Sequence, residues 1–328
     1  MKAYICHEYG PPEKISFEDV DPPVPAEDQI LVSMQAAALN FPDLLVMSGQ
    51  YQAKASLPFS PCAEGAGIVA AVGSKVSTFE PGDKVIVSGG LGGTAAEQIV
   101  VGQQDAYRLP GSLSFAEGAA VSVTYSTALY ALQQRARLQP GETLAVLGAG
   151  GGVGLASIAV GKAMGAKVIA LASSDEKLNT AKEAGADLLI NYNNEPLKEA
   201  LKAATHGKGA DVVLDPVGGD FTDQALRATG WEGRLLIIGF AGGEIPMIKG
   251  NLPLLKGCSV VGVDIRQFRI YQPDSFDKNF QQLMDWFESG KLPKPLITTY
   301  PWEQFVEACH ALGNRSAKGK LVLDISAP

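Results

Sequence analysis

Short apolar runs bounded by turn residues occupy the first 110 residues of the chain. Proline and glycine lie between these runs, for example at Pro11-Pro12 and Pro81-Gly82-Asp83. Several short strands with such turn signals are typical of a barrel-like or sandwich-like β domain. The pattern predicts strands over residues 2–7, 15–20, 29–39, 65–72, 84–88 and 96–101.

The pattern changes near Ser114, from which one or two helices are predicted to extend to about Gln134. Apolar runs of strand length then alternate with segments of helical pattern. This alternation predicts βαβ units and a parallel sheet that helices cover on both faces. The predicted strands are 143–147, 167–171, 188–192, 212–216, 234–240 and 259–265, and the predicted helices are 152–164, 175–184, 197–205 and 221–229.

The last part of the chain has a third pattern. Helices are predicted over residues 274–289 and 302–312, and a final strand over 320–325. One placement returns this strand to the first domain, so that the α/β unit is an insertion. A length of 328 residues is consistent with about two domains.

Composition and charge limit the partners. Hydrophobic residues make up 46% and charged residues 19%, as in a folded globular protein. The net charge of −8 argues against bulk attraction to nucleic acid or to an anionic membrane. No apolar run has the length of a membrane span or of a signal-peptide core. The four cysteines show no CxxC pair. Free thiols and a cytoplasmic location are therefore expected.

The strongest local motif is the glycine-rich segment Leu147-Gly148-Ala149-Gly150-Gly151-Gly152-Val153-Gly154. It follows a predicted strand and opens a predicted helix, as dinucleotide-binding turns do. Glycine there permits a tight turn and close approach of a pyrophosphate to the backbone, and the helix amino terminus favours the phosphate charge. A plain tight turn of an α/β fold is the alternative.

The end of the next predicted strand bears on the choice between NAD and NADP. NAD sites usually carry an acid there that binds the ribose 2′-hydroxyl. This chain has Ser173-Ser174 instead, with Lys177 one helical turn further. The pattern favours NADP. Asp175 is interpreted as a first-turn acid of a helix, and Lys177 as an ordinary solvated residue remains the alternative.

Motifs along nearly the whole chain resemble those of the zinc-free quinone oxidoreductases of the medium-chain dehydrogenase/reductase superfamily, the quinone oxidoreductase-like group in particular. They lie at residues 40–43, 49–51, 58–67, 81–85, 127–132, 148–154, 215–219 and 233–240. The resemblance implies a GroES-like substrate domain, residues 1–122 and 266–328, with an inserted Rossmann domain, residues 123–265. It also implies an active site in the cleft between them and a homodimer or homotetramer.

The resemblance also bears on metal chemistry. Zinc-dependent relatives have Cys where this chain has Asn40 and His where it has Ala63, and neither replacement is a useful zinc ligand. No metal site is therefore expected. Hydride transfer from NADPH to an electron-poor acceptor is expected, with quinones first. The alternatives are α,β-unsaturated carbonyls or enoyl thioesters, and an NADPH-binding protein with a structural or RNA-binding role, against which the net charge argues.

Site residues follow from the same resemblance. It places Asn40, Asp43 and Tyr51 in the substrate cleft as the catalytic candidates. Tyr51 is a candidate hydrogen-bond or proton donor to the reduced oxygen, with a packed aromatic as the alternative. Met47 and Cys62 stand where the family often has Arg and Gly. The cofactor residues implied are Asn40, Thr127, Tyr130, Gly151, Gly152, Val153, Ser173, Lys177, Tyr192, Val217, Phe240, Val263 and Arg315.

Overall fold

The computed structural model describes residues 1–326. The chain forms two compact units. The first comprises Met1–Val123 and the segment that begins at Lys294, and the second comprises Thr124–Pro293.

The amino-terminal part of the first unit is rich in strands, as predicted. Its elements are β1 (Lys2–Ile5), β2 (Ser16–Asp19), β3 (Gln29–Leu39), α1 (Phe41–Met47), β4 (Glu64–Val72), β5 (Lys84–Ser88), β6 (Gln98–Gly102), β7 (Ala106–Arg108) and α2 (Phe115–Ala119). The helix α2 begins with a capping box, in which the Ser114 hydroxyl accepts a bond from the Glu117 backbone N–H.

The second unit alternates strands and helices. Its elements are α3 (Thr124–Leu129), β8 (Thr143–Leu147), α4 (Gly152–Ala163), β9 (Lys167–Ala172), α5 (Asp175–Glu183), β10 (Leu188–Asn191), α6 (Leu197–Ala204), β11 (Ala210–Asp215), α7 (Asp220–Ala228), β12 (Thr229–Ile237), α8 (Asn251–Lys256), β13 (Ser259–Gly262), α9 (Ile265–Tyr271) and α10 (Pro273–Glu288). A π-helical segment, Tyr130–Arg135, continues α3.

The sheet of the second unit is parallel, in the order β10–β9–β8–β11–β12–β13. This is the strand order of a Rossmann fold, in which ligands bind at the carboxyl ends of the central strands, where the order reverses. The central strands are buried because helices cover both faces of a parallel sheet. The reversal lies between β8 and β11.

The carboxy-terminal segment completes the first unit with β14 (Ile297–Pro301), α11 (Phe305–Gly313) and β15 (Lys320–Asp324). The last strand, β15, pairs antiparallel with β3, and the main sheet runs β14–β15–β3–β4–β5–β7, with β6 also paired to β3. The predicted return of the final strand to the first domain is therefore confirmed. Its core includes the stacked rings of Tyr4 and Phe305, with centroids 4.4 Å apart.

The second junction between the compact units lies at 293/294, whereas the sequence prediction put the domain boundary at 265/266. The first junction lies at 123/124, one residue from the prediction. The difference arises because α10 packs on α3 of the second unit. The rings of Tyr125 and Phe287 meet edge to face with centroids 5.0 Å apart, and Gln134 donates a 2.8 Å hydrogen bond to Asn279.

Among the residues that the structure describes, no helix is long and apolar enough to cross a membrane.

Candidate functional site

The glycine-rich segment forms a tight turn between β8 and α4. Gly148 has φ +59°, which favours glycine, and its carbonyl oxygen accepts a 3.0 Å hydrogen bond from the Gly151 N–H. A Cβ on Gly154 would lie 2.3 Å from that same oxygen, so only glycine lets α4 pack this closely. A Cβ on Gly151 would have Gly148 O, 3.4 Å away, as its nearest neighbour. No second neighbouring atom lies within 4 Å of that position, in front of the helix.

This space fits the pyrophosphate of a dinucleotide. Gly152 and Val153 begin the first turn of α4. The N–H groups of a first turn have no acceptor within the helix, and no acidic side chain lies in this turn. The helix dipole adds partial positive charge at this end. The predicted residues Gly151, Gly152 and Val153 are thus brought together at one helix terminus.

The carboxyl end of β9 lies beside this turn. The Ser174 hydroxyl caps α5 by accepting a 3.4 Å bond from the Lys177 N–H, and the Ser173 carbonyl accepts a 2.7 Å bond from the Asn193 amide. A Cβ on Gly150 would lie 2.7 Å from the Lys177 Cβ, so Lys177 packs over the glycine turn. The second unit thus groups Ser173 and Lys177 around the turn.

Asp175 has a partner of its own. Its carboxylate accepts a 2.7 Å hydrogen bond from the Asn191 side-chain amide. Tyr192 follows Asn191 and packs its ring on Phe221, with centroids 4.5 Å apart. The Asp175 carboxylate near the end of β9 is therefore hydrogen-bonded to the last residue of β10.

A second loop approaches the glycine turn from β11. The buried carboxylate of Asp215 accepts bonds from the N–H groups of Val217 (2.8 Å) and Gly218 (3.0 Å) and from the Thr222 hydroxyl (2.6 Å). These bonds hold Val217 close to the glycine turn: a Cβ on Gly148 would lie 3.1 Å from Val217 Cγ2. Phe240 packs equally closely on Gly218, where a Cβ would lie 3.1 Å from Phe240 Cδ1. Asp215 organises this wall of the site, a role that the sequence motif alone did not assign.

Other predicted cofactor residues lie elsewhere in the second unit. Thr127 is buried in α3, and Val263 is buried just after β13. Tyr130 stacks its ring on Phe268 of α9, with centroids 4.0 Å apart and planes 9° apart. Arg315 belongs to the first unit and is exposed, with φ +57°.

The first unit contains a buried polar cluster around Asn40, which links β3 to α1. The Asn40 amide nitrogen donates a 2.9 Å hydrogen bond to Glu64, and the Asn40 amide oxygen accepts a hydrogen bond from the Lys320 ammonium. Lys320 and Glu64 form an ion pair at 2.7 Å. The other Glu64 oxygen accepts a 2.7 Å bond from the Val123 N–H. Glu64 is fully buried and Lys320 is 5% exposed.

Asp43 completes this cluster. It lies in the first turn of α1, and its carboxylate accepts a 2.6 Å hydrogen bond from the Asn40 backbone N–H. Burial raises the pKa of Asp43 from 3.8 to about 6, although the Lys320 ammonium and the Asn40 bond oppose the shift. Two of the predicted catalytic residues, Asn40 and Asp43, are thus in direct contact.

Tyr51, the third predicted catalytic residue, is half-buried after α1, and its backbone N–H donates to the Leu45 carbonyl at 3.0 Å. Met47 is buried in the apolar core of the first unit. Cys62 is buried with φ +64°, and burial holds the pKa of its thiol well above its usual value. These two departures from the family pattern are therefore core positions of this chain.

Sequence reasoning missed Glu64 and Lys320 as site residues. No sequence signal distinguished them, because Lys320 opens the final strand directly after a polar segment, where a solvated lysine is common.

The donor set around Asn40 does not fit a catalytic zinc ion. The Asn40 oxygen is bound to the Lys320 ammonium, and Ala63 offers no donor atom. Within residues 1–326, no group of three or more His, Cys, Asp or Glu residues could hold a metal ion.

Comparisons with known proteins agree with this architecture. Residues 26–135 match the family model of the alcohol dehydrogenase GroES-like domain, and residues 152–289 match that of the zinc-binding dehydrogenases. The chain is 37% identical over 329 residues to a quinone oxidoreductase-like protein 2 homolog of Nematostella vectensis, covering 98% of this chain and 88% of that protein.

Two solved structures are similar in fold and sequence. The Escherichia coli quinone oxidoreductase in complex with NADPH superposes with a TM-score of 0.90 at 30% identity, covering 99% of this chain and 100% of that one. The CurK enoyl reductase superposes with a TM-score of 0.87 at 26% identity, covering 98% of each chain. The GroES-like and Rossmann folds expected from the sequence are confirmed. The chain belongs to the quinone oxidoreductase-like family of the medium-chain dehydrogenase/reductase superfamily.

Proposed function

We propose that this protein is an NADPH-dependent oxidoreductase that reduces quinones without a catalytic zinc ion. The observation that carries the proposal is the cluster around Asn40, where the Lys320 ammonium binds the amide oxygen and the Glu64 carboxylate binds one amide N–H. Without a Lewis acid at this position, an acceptor that is already electron-poor, as quinones are, is the favoured substrate. Relatives named quinone oxidoreductases support this choice.

The second unit supplies the residues for NADPH. When bound, NADPH supplies the hydride. The first-turn N–H groups of α4 would hold the pyrophosphate. Ser173, Lys177 and Tyr192 would bind the 2′-phosphate, because the end of β9 is neutral and Asp175 is bonded to Asn191. Val217, Phe240 and Val263 would line the nicotinamide side, with Thr127, Tyr130 and Arg315 as further contacts of the cofactor.

The first unit supplies the residues for the acceptor. Asn40 donates a hydrogen bond to the carbonyl oxygen that gains charge during hydride transfer, and it also contacts the nicotinamide. Tyr51 is the candidate proton donor to that oxygen, and Asp43 holds the Asn40 backbone.

The test is NADPH oxidation followed at 340 nm with purified protein. Ortho- and para-quinones, simple enones and an enoyl-CoA are offered separately, and NADH is run in parallel. Turnover that is fastest with quinones and NADPH is the expected result. Tight NADPH binding without turnover of any acceptor would contradict the enzymatic proposal and favour a binding role. A preference for NADH would contradict the roles given to Ser173, Lys177 and Tyr192.

A second candidate function is the reduction of α,β-unsaturated carbonyls or enoyl thioesters. The observation that favours it is the likeness to the CurK enoyl reductase over nearly the whole chain. Both reactions deliver hydride to a carbon conjugated with a carbonyl, so one site serves either. Faster turnover of the enone or enoyl-CoA than of every quinone would select this candidate.

We further propose a homodimer, formed directly or within a homotetramer, through the β13 edge of the second unit. The β13 strand ends the sheet, and apolar side chains on it and in the chain segment 231–255 that precedes it are exposed. An edge of this kind can pair with the same edge of a second copy. The exposed side chains are Trp231, Ile245, Met247, Leu254, Leu255 and Val260.

Four free cysteines, three of them buried, also favour a reducing, cytoplasmic location.

A further inference from the structure

The register of the sheet in the first unit brings three distant polar residues together. Leu39 pairs with Leu321 across β3 and β15, so Asn40 and Lys320 are opposed at the end of that antiparallel pair. Ala38 pairs with Glu64 across β3 and β4. The amide of Asn40 therefore lies between a lysine from one neighbouring strand and a glutamate from the other.

The two neighbours of this amide have opposite hydrogen-bonding chemistry. A lysine ammonium can only donate, and a glutamate carboxylate can only accept. The Asn40 oxygen consequently faces Lys320, and the Asn40 nitrogen faces Glu64. The flipped amide would turn its N–H groups toward the ammonium and its oxygen toward the carboxylate, which loses both bonds in a buried setting.

The carboxylate that imposes this orientation is itself fixed. One Glu64 oxygen binds Lys320 (2.7 Å) and Asn40 (2.9 Å), and the other accepts the Val123 N–H (2.7 Å). All of these polar side chains are at least nine-tenths buried. Water therefore competes little for the bonds.

We infer that Lys320 and Glu64 are positioning residues that lock the Asn40 amide in one orientation and so leave its second N–H as the group offered to the acceptor oxygen. Each side-chain amide carries two N–H donors, and Glu64 takes one of them. The Asn40 oxygen, which would repel a developing oxyanion, is held away by Lys320. This inference rests on the proposed function, since it assigns the donor at that same site.

The first test separates orientation from stability. Lys320→Met alone leaves the Glu64 charge buried without its partner and is expected to destabilise the fold. Lys320→Met combined with Glu64→Gln removes both charges, and a glutamine side chain can bind either orientation of Asn40. At pH 5, where the buried Asp43 carboxyl keeps its proton and needs no cationic partner, we expect the double variant to recover the melting temperature of the wild type. We also expect it to bind NADPH within twofold, but to show kcat for quinones at least tenfold lower. Lys318→Met, at an exposed position before β15, is the matched control with unchanged kcat.

Recovery of both stability and full kcat in the double variant would overturn the inference, because the pair would then only balance charge. So would a kcat loss in the Lys318→Met control equal to that of the double variant.

A second measurement is made on the wild type and needs no turnover; a variant serves only to assign the signal. The side-chain amide signal of Asn40, assigned in ¹⁵N spectra by its loss in Asn40→Asp, should show one proton protected from solvent exchange and one that exchanges freely. Addition of a para-hydroquinone with NADP⁺ should shift the freely exchanging proton. Two protons with equal exchange would contradict the inference. If the wild type reduces no acceptor, the proposed function fails, whereas the protection pattern still decides whether the amide is locked.

Discussion

Asp43 gives the sharpest prediction about stability. This residue is 3% exposed, and burial raises the pKa of its carboxyl from 3.8 to about 6. The perturbation is Asp43→Asn, which has nearly the same shape and keeps an oxygen that can accept the Asn40 N–H. Because the asparagine does not titrate, the variant lacks the pH-dependent contribution of Asp43, and any pH-independent effect of the substitution is a constant offset in the comparison.

The sign follows from proton binding. Between pH 3.8 and about 6 the folded protein keeps the Asp43 proton, while the unfolded chain has released it. Stability therefore falls as pH rises through this window and stays lower above it. Each pKa unit corresponds to about 1.4 kcal/mol, so the shift amounts to about 3 kcal/mol in total. The stability of Asp43→Asn minus that of the wild type should thus rise by about 2–3 kcal/mol between pH 4 and pH 7.

The assay is urea unfolding at a series of pH values. Trp302 lies in the first unit and Trp231 and Trp286 in the second, so a Trp231→Phe/Trp286→Phe background reports on the first unit alone. Both proteins share every other titrating group, and their contributions cancel in the difference. A difference that stays flat from pH 4 to pH 7 would refute the argument that burial dominates the pKa of Asp43, as would a ¹³C carboxyl titration with its midpoint near 3.8.

Three further predictions concern the second unit. Ser173→Asp should weaken NADPH binding by about tenfold or more while leaving NADH binding within a fewfold, because a carboxylate at this position repels the 2′-phosphate. Fluorescence titration measures the two affinities, and an equal loss of affinity for NADPH and NADH would contradict the placement of that phosphate. Gly154→Val should weaken the binding of NADPH and of NADH by about tenfold or more, since a Cβ would lie 2.3 Å from the Gly148 oxygen and displace the glycine turn. Unchanged affinity would show that the turn does not bind the pyrophosphate. Val261→Asp on the β13 edge should give monomers in light scattering with the secondary structure intact, and an unchanged mass would place the dimer interface elsewhere.

Much of the fold could be predicted because its local signals agree with its tertiary environment. The strands β3, β5 and β8 have the predicted bounds, since each is largely apolar and is flanked by polar or glycine residues. The glycine turn was recognisable for the same reason: strand, turn and helix are contiguous in sequence, so their geometry is encoded locally.

The errors fall where local pattern is ambiguous. Residues 259–265 were predicted as one strand, but β13 ends at Gly262 and α9 begins at Ile265. A short apolar run is compatible with either structure. The prediction also missed α1, whose seven residues include Pro42 in the first turn. The amphipathic pattern of α10 predicts a helix but not the unit on which it packs, and this accounts for the displaced second boundary.

The cluster around Asn40 could not be predicted, because no local pattern encodes it. Lys320 follows the polar segment Ser316-Ala317-Lys318-Gly319 and has the sequence context of a solvated lysine. Its burial depends on the pairing of β15 with β3, two strands that are separated in sequence by the whole of the second unit. Glu64 and Asp43 are buried in the amino-terminal segment, and Lys320 of that last strand is the ammonium that pairs with Glu64 and lowers the pKa of Asp43. The return of the carboxy-terminal segment therefore completes the sheet and also supplies the positive charge that the candidate site requires.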